Sequence, residues 1–173
     1  MRQWVPVSTS PKGRLAVCAL QEFGRRPYLD VTVGELAAEA GVTTGALYHH
    51  FDSKLGLYSF VRVDAERRLL DRMEGAAAVG GGDGVGATLR SVLLVGFDFA
   101  VAQGFIRLLG EEHPGRDSDP VAELLTELSG AEHSPLGRVL VAAWRAALLA
   151  VSDGEPADRA RSALSMLGVV DAS

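Results

Sequence analysis

The chain has 173 residues, 47% of them hydrophobic and 23% charged, an ordinary globular composition that lets a chain of this length bury roughly 70% of its unfolded surface. A single cysteine, Cys18, excludes an internal disulfide and a thiolate zinc cluster. The net charge of −5 is unevenly spread: residues 1–72 hold ten Lys/Arg against eight Asp/Glu, and residues 73–173 hold seven against fourteen. Phosphate binding follows the local potential, so the acidic far half leaves a DNA partner open to the near half. Charged residues interrupt the apolar stretches, and the first residues lack the apolar core of a signal peptide. The sequence therefore predicts a cytoplasmic protein with no membrane partner.

Apolar residues recur at three and four along nearly the whole chain. Leu15, Ala16, Ala19, Leu20 and Phe23 form one stripe after the start signal Ser10-Pro11, and Gly24 with Pro27 ends it. Thr32 opens a short second helix carrying Leu36, Ala37 and Ala40; Glu35 completes a capping box and Gly41 supplies a left-handed stop. A third short helix follows Thr43, with Leu47 and Phe51 one turn apart on its inner face. Asp52 or Ser53 caps a long fourth helix with Tyr58, Val61, Ala65, Leu69, Met73 and Ala76 on one side.

The Gly/Ala-rich stretch 75–86 reads as a helix break and a flexible connection. Beyond it the periodicity places helices at 87–103, 105–112, 120–128, 135–151 and 156–170, with a loop at 113–118; Pro120, Pro135 and Pro156 stand near first turns, where a missing N–H costs nothing. No stretch alternates apolar and polar residues over a strand's length, and no repeat of 20 to 50 residues appears. The fold class is all-α.

Residues 32–51 join two short amphipathic helices through Gly41-Val42, too few residues for an antiparallel hairpin, so the helices cross steeply. Ala37 is small where the second helix passes, and Val42 plugs the shared core. This is a helix-turn-helix pattern, whose second helix enters the major groove of DNA; a purely structural helical corner is the other reading. With Leu47 and Phe51 inward, Thr43, Thr44, Gly45, Tyr48 and His49 cover the outer face and leading end, a small and hydrogen-bonding surface without acidic groups. Lys54 opens the next helix, where its ammonium and the N-terminal amides suit a phosphate.

The segment VTVGELAAEAGVTTGALYHHFDSKLGL resembles the DNA-binding signature of TetR-family transcriptional regulators, through Ala40-Gly41-Val42, Gly45, Leu47-Tyr48, His50-Phe51 and Lys54. The resemblance covers about residues 12–60. It implies an N-terminal three-helix helix-turn-helix domain over 1–54, joined by a long helix to a helical effector-binding and dimerisation domain over 55–173. It further implies that Thr32, Thr44, Tyr48, His49 and Lys54 touch operator DNA, with Thr43 and Gly45 on the same face, and that the chain is a homodimer. Leu55 stands where family members usually carry an acidic or polar residue, and the C-terminal half is short for the family.

In that half Leu94, Phe97, Val101, Phe105 and Trp144 make an apolar stripe that suits a core or a cavity wall, with Asp98 and Gln103 as polar neighbours. Leu140, Ala143, Ala147, Leu148, Leu164 and Leu167 line the last two helices and suit an internal core or a two-fold four-helix interface. The resemblance favours the cavity wall and the interface. The expected function is a transcriptional repressor released from double-stranded operator DNA by a small apolar or amphipathic effector, with no cofactor. An accessory helical interaction module with a vestigial helix-turn-helix is the alternative.

Other residues favour plainer roles. His49 and His50 point about 100° apart on a helix, which is wrong for two ligands of one metal. Glu111, Glu112 and His113 precede a proline loop and fit a solvated helix end better than a cation site. Cys18 fits a half-buried structural thiol. A Gly-rich phosphate loop, G-x-S-x-G and H-E-x-x-H are absent, so an enzyme reading finds no motif.

Overall fold

The computed structural model describes residues 9–80, 84–130 and 134–167, which form nine α-helices and one 3₁₀ turn, with no strand among them. In chain order these are α1 (Pro11–Arg25), the 3₁₀ turn Tyr28–Asp30, α2 (Val33–Glu39), α3 (Thr44–Phe51), α4 (Lys54–Gly80), α5 (Val85–Gln103), α6 (Ile106–Gly110), α7 (Pro120–Ser129), α8 (Leu136–Ser152) and α9 (Ala157–Ser165). The local signals explain most boundaries. Ser10 accepts from the Gly13 amide with Pro11 beside it, Thr32 and Glu35 close a reciprocal capping box, and Asp119 accepts from the amides of Val121 and Ala122 ahead of α7.

Helices α1–α3 pack around Leu15, Ala19, Phe23, Leu36, Leu47 and Phe51, all buried. Helix α4 carries that core onward through Leu57, Val61, Ala65, Leu69 and Met73, and pairs most extensively with α5. Helices α5 to α9 close around Leu89, Phe97, Leu125, Trp144 and Leu164, so one continuous apolar cluster runs from α1 to α9. The near and far halves also meet at a corner made by Tyr28. Its ring lies 5.9 Å from that of Phe23 and 4.9 Å from that of Tyr58, and its amide donates to Glu111 at the end of α6. Beside it α1 touches the α5–α6 turn so closely that a Cβ on Gly24 would overlap the Gly104 carbonyl oxygen.

Three expectations change. Residues 75–80 continue α4 instead of breaking it: Ala is the strongest helix former, Ala76 and Ala77 rest on the core, and packing offsets the roughly 1 kcal/mol that Gly75 costs. The last helix ends at Ser165, and residues 168–170 of the expected span lie outside the described ones. Helix α5, nineteen residues with a mean hydropathy of 1.6 over its most apolar window, is long and apolar enough to cross a membrane by length and composition, against the expectation of interrupted stretches. Its apolar residues Leu89, Val92, Leu93, Phe97 and Ala100 are buried among neighbouring helices, which accounts for the hydropathy of a central core helix.

Candidate nucleic-acid interface and effector cleft

Helix α2 ends where Gly41 takes φ +63°, a conformation that costs glycine nothing, and Val42 returns its amide to the Ala37 carbonyl. Arg14 of α1 clamps this turn, its Nε donating to the Ala40 carbonyl at 2.8 Å. Thr43 then caps α3 by accepting from the Ala46 amide at 3.2 Å. Leu47 and Phe51 face inward, while Thr43, Thr44, Gly45, Tyr48 and His49 are exposed together on the outer side. The Tyr48 ring is 52% exposed, a large aromatic surface without a partner among the described residues that would account for it. His50 is half-buried, its ring 6.3 Å from that of Phe51. Thr32 is exposed as well, but its hydroxyl donates to Glu35, and these bonds, joined by Arg26, hold the Glu35 carboxyl below its ordinary range.

Lys54 departs from the expectation. Its ammonium donates to the carbonyls of Tyr28 and Val31 at 2.8 and 2.9 Å and lies 4.2 Å from the centre of the Tyr28 ring. The lysine fastens the start of α4 to the chain entering α2, which leaves at most one of its three N–H donors for a phosphate. The N-terminus of α4 is instead capped by Ser53, whose hydroxyl accepts from the Gly56 amide.

The expected pocket is a packed core. Phe97, Phe105 and Trp144 are buried, the Trp144 indole donates to the Leu93 carbonyl at 3.1 Å, and Leu94 and Val101 pack on the same cluster. Asp98 is exposed and holds Arg161 of α9 through two bonds of 2.7 and 2.9 Å, while Gln103 is exposed. A cleft of about 630 Å³ lies between α4, the α6–α7 loop, α7 and α8, with Val141, Ala142, Ala146 and Leu149 on its apolar wall.

Its remaining walls are charged. Arg62, 1% exposed, donates to the Tyr58 hydroxyl at 2.7 Å and to Glu66 at 2.8 Å, and Arg116 from the loop donates to the other Glu66 oxygen at 2.7 Å. Burial opposes the Arg62 charge, but Tyr58 and Glu66 more than offset it and keep the guanidinium protonated. Arg145 of α8 pairs with Asp119 at 2.7 Å, so the carboxylate that caps α7 also ties it to α8. His113 bonds to Ser59 of α4 at 3.0 Å; burial, then the Arg62 and Arg116 charges, pushes its pKa down and leaves the ring neutral at pH 7. The Glu111-Glu112-His113 cluster is thus dispersed: Glu111 pairs with Arg107, Glu112 is exposed, and His113 turns inward. Cys18 is half-buried, and burial with Glu39 and Glu22 nearby pushes its thiol up, away from reactivity.

The expected interface residues divide. Leu140, Leu148 and Leu164 are buried in the core, whereas Ala143, Ala147 and Leu167 line an open α8–α9 groove of about 450 Å³ with Ala146, Ala150 and Ala163. Periodicity could not separate these two sets, because both repeat at helical spacing.

Residues 17–59 match the family model described as bacterial regulatory proteins, tetR family. That match takes in most of α1, all of α2 and α3 and the first turns of α4. The chain is similar in fold to a tetR-family transcriptional regulator from Streptomyces coelicolor, with a TM-score of 0.58 and 24% identity over 90% of this chain and 77% of that one. The matched segment is the helix-turn-helix of α2 and α3 with its flanking helices. Sequence reasoning missed the cleft, whose residues come from four separate segments; the buried pair Arg62 and Glu66 was its one legible trace, two charges at i and i+4 inside an otherwise apolar helix face.

Proposed function

We propose that this tetR-family chain represses transcription in the cytoplasm as a two-fold dimer on operator DNA and is released by a small molecule entering the α4–α7–α8 cleft. Residues 1–54 act as the reader and residues 55–173 as the sensor and pairing platform. The observation that carries the reading is the course of α4. Only Asp52 and Ser53 separate α3 from α4, and eight residues on, about 12 Å along the helix, Arg62 forms the floor of the cleft. A ligand that displaces the loop from Glu66 therefore acts on the helix that positions the reader.

The exposed set Thr43, Thr44, Gly45, Tyr48 and His49 reads the major groove, and Thr32 approaches the flanking phosphate backbone. Lys54 contributes chiefly by holding the reader's geometry. Two copies pair across the α8–α9 groove, whose alanines permit close helix approach. Half-sites one turn apart, about 34 to 36 Å, then set the spacing that the two α3 helices must meet. A coupling of 1 to 3 kcal/mol between cleft and reader gives roughly 5- to 150-fold control.

Mobility shift on the chain's own promoter, with light scattering at micromolar concentration, tests the first two parts. Binding to a two-fold site by a species of twice the monomer mass is the expected result. A monomer in solution sinks the pairing, and no sequence preference sinks the reader in favour of a vestigial domain.

A further inference from the structure

Among the described residues, just two buried side-chain atoms lack a hydrogen-bond partner, Arg145 Nε and His113 Nδ1, and both residues line the same cleft. A buried N–H left unpaired costs about 1 to 3 kcal/mol, and the Arg145 guanidinium, on the cleft's wall, carries such a donor that a bound acceptor would satisfy. Their chemistry says what that molecule brings. Arg145 already gives Nη1 to Asp119, and its Nε–H can only donate, so it requires an oxygen acceptor. Arg138, seven residues and so about two helical turns before it on α8, is exposed at the same cleft and has no ion-pair partner among the described residues.

The cleft's other charges are spoken for. Glu66 is held by Arg62 and Arg116, Asp119 by Arg145 and the α7 cap, and Glu111 by Arg107, while Glu112 and Asp117 stand exposed at the rim. The interior demand is thus for negative oxygen. Val141, Ala142, Ala146 and Leu149 beside these arginines supply an apolar wall, and about 630 Å³ falls within the size range of small-molecule sites.

We propose that the effector is a small organic acid, its carboxylate held by Arg145 and Arg138, its apolar body on the α8 wall, and a hydroxyl or keto oxygen reaching His113. This names the ligand class of the site in the release reading above and rests on that reading only for its consequence at DNA. A carboxylate on Nε while Asp119 holds Nη1 puts two negative groups on one guanidinium, and their repulsion loosens the tie between α7 and α8. Within the expected apolar or amphipathic effectors this selects the anionic amphipathic ones, because guanidinium groups stand beside the apolar wall.

The test uses 4-hydroxybenzoate and octanoate, each beside its uncharged amide, with melting temperature and calorimetry as readouts on the full chain. Both acids are expected to bind and raise the melting temperature while the amides do not. Arg138→Gln, an exposed change that leaves the core untouched, is expected to weaken acid binding about tenfold or more, the loss that follows removal of a charge-assisted hydrogen bond. Arg145→Lys keeps the charge beside Asp119 and removes Nε–H, with a similar expected loss. Amides that bind as well as the acids, acids that do not bind, or an Arg138→Gln protein with unaltered affinity each overturn the assignment. Mobility shift with the same acids separates the two readings: acid binding with unchanged operator affinity keeps the ligand class and removes the release mechanism.

Discussion

The recognition corner and the cleft use polar residues in opposite ways. Around α2 and α3, polar side chains either close local caps, as Thr32, Glu35 and Thr43 do, or stand free on the surface, as Thr44, Tyr48 and His49 do. Around the cleft, polar and charged side chains are partly or fully buried and bonded across long sequence separations, Arg116 to Glu66 over fifty residues and His113 to Ser59 over fifty-four. The first region holds its exposed face with caps closed within one turn and with two cations, Arg14 and Lys54, fastened to backbone carbonyls. The second holds its parts together with bonds that a competing ion can replace.

That contrast can be broken most severely at Arg62. Replacing it with Met leaves Glu66 and Arg116 without the third member of their network, and loss of one partner of a buried pair costs about 3 to 5 kcal/mol. Urea denaturation should show this loss, and Arg62→Met with Glu66→Leu together should recover much of it, because an apolar pair of similar volume removes the stranded charge. Recovery that fails would mean that the ladder contributes more than mutual neutralisation. Gly24→Ala comes next. Its new methyl group meets the Gly104 carbonyl, so α1 and the α5–α6 turn must separate, at a cost of about 1 to 3 kcal/mol. The same protein should show altered affinity for operator DNA, since this contact and Tyr28 set the reader on the back half. Normal melting would show that the two halves are not locked there.

The sequence was informative where structure is local. Capping at Ser10 and Thr32, the glycine turn at Gly41 and the inward pair Leu47 and Phe51 each depend on residues within one helical turn, and the helix-turn-helix was readable from them. It was uninformative where partners are distant. Lys54 looked free because Tyr28 and Val31 lie more than twenty residues away, and their carbonyls rather than any side chain bind it. Phe97, Phe105 and Trp144 have the period of a cavity wall and of a core alike; only the packing of α5 against α8 decides between them. Gly110, Ala142 and Ala146 line the cleft as well, small residues that no periodicity singles out.

Lys54→Met sharpens the comparison at the seam. The carbonyls of Tyr28 and Val31 lose their donor, with an expected cost of about 1 to 3 kcal/mol, read as a drop in denaturation midpoint. A lysine acting only on phosphate would leave stability unchanged and lower the salt slope of DNA binding by about 1 per contact. Tyr48→Ala makes the opposite prediction. The ring is half-exposed with no structural bond, so stability should stay within about 0.5 kcal/mol while the sequence selected from random DNA changes. An unchanged selected operator would remove that ring from the reading surface.

The smallest expected effect distinguishes the two regions by acid. His113 is packed against the Tyr58 ring, bonded to Ser59 and faced by Arg62, Arg116 and Glu66, and its pKa lies below the ordinary histidine value chiefly because burial and then the arginine charges disfavour the imidazolium. The folded chain thus binds this proton less readily than the unfolded chain does. Stability from the neutral ring is fully present above the unfolded value of about 6.5 and falls as the pH drops below it, levelling once the folded form also takes up the proton. His113→Asn keeps a polar side chain that bonds Ser59 without titrating, so its melting temperature should fall less than that of the parent chain between pH 7 and pH 5.5. His49 is exposed on α3, away from the cleft, and His49→Asn is the matching substitution to compare. If the two substitutions flatten the pH profile equally, the acid response does not come from the cleft, and the bonded ring of His113 loses its distinction from the exposed ring of His49.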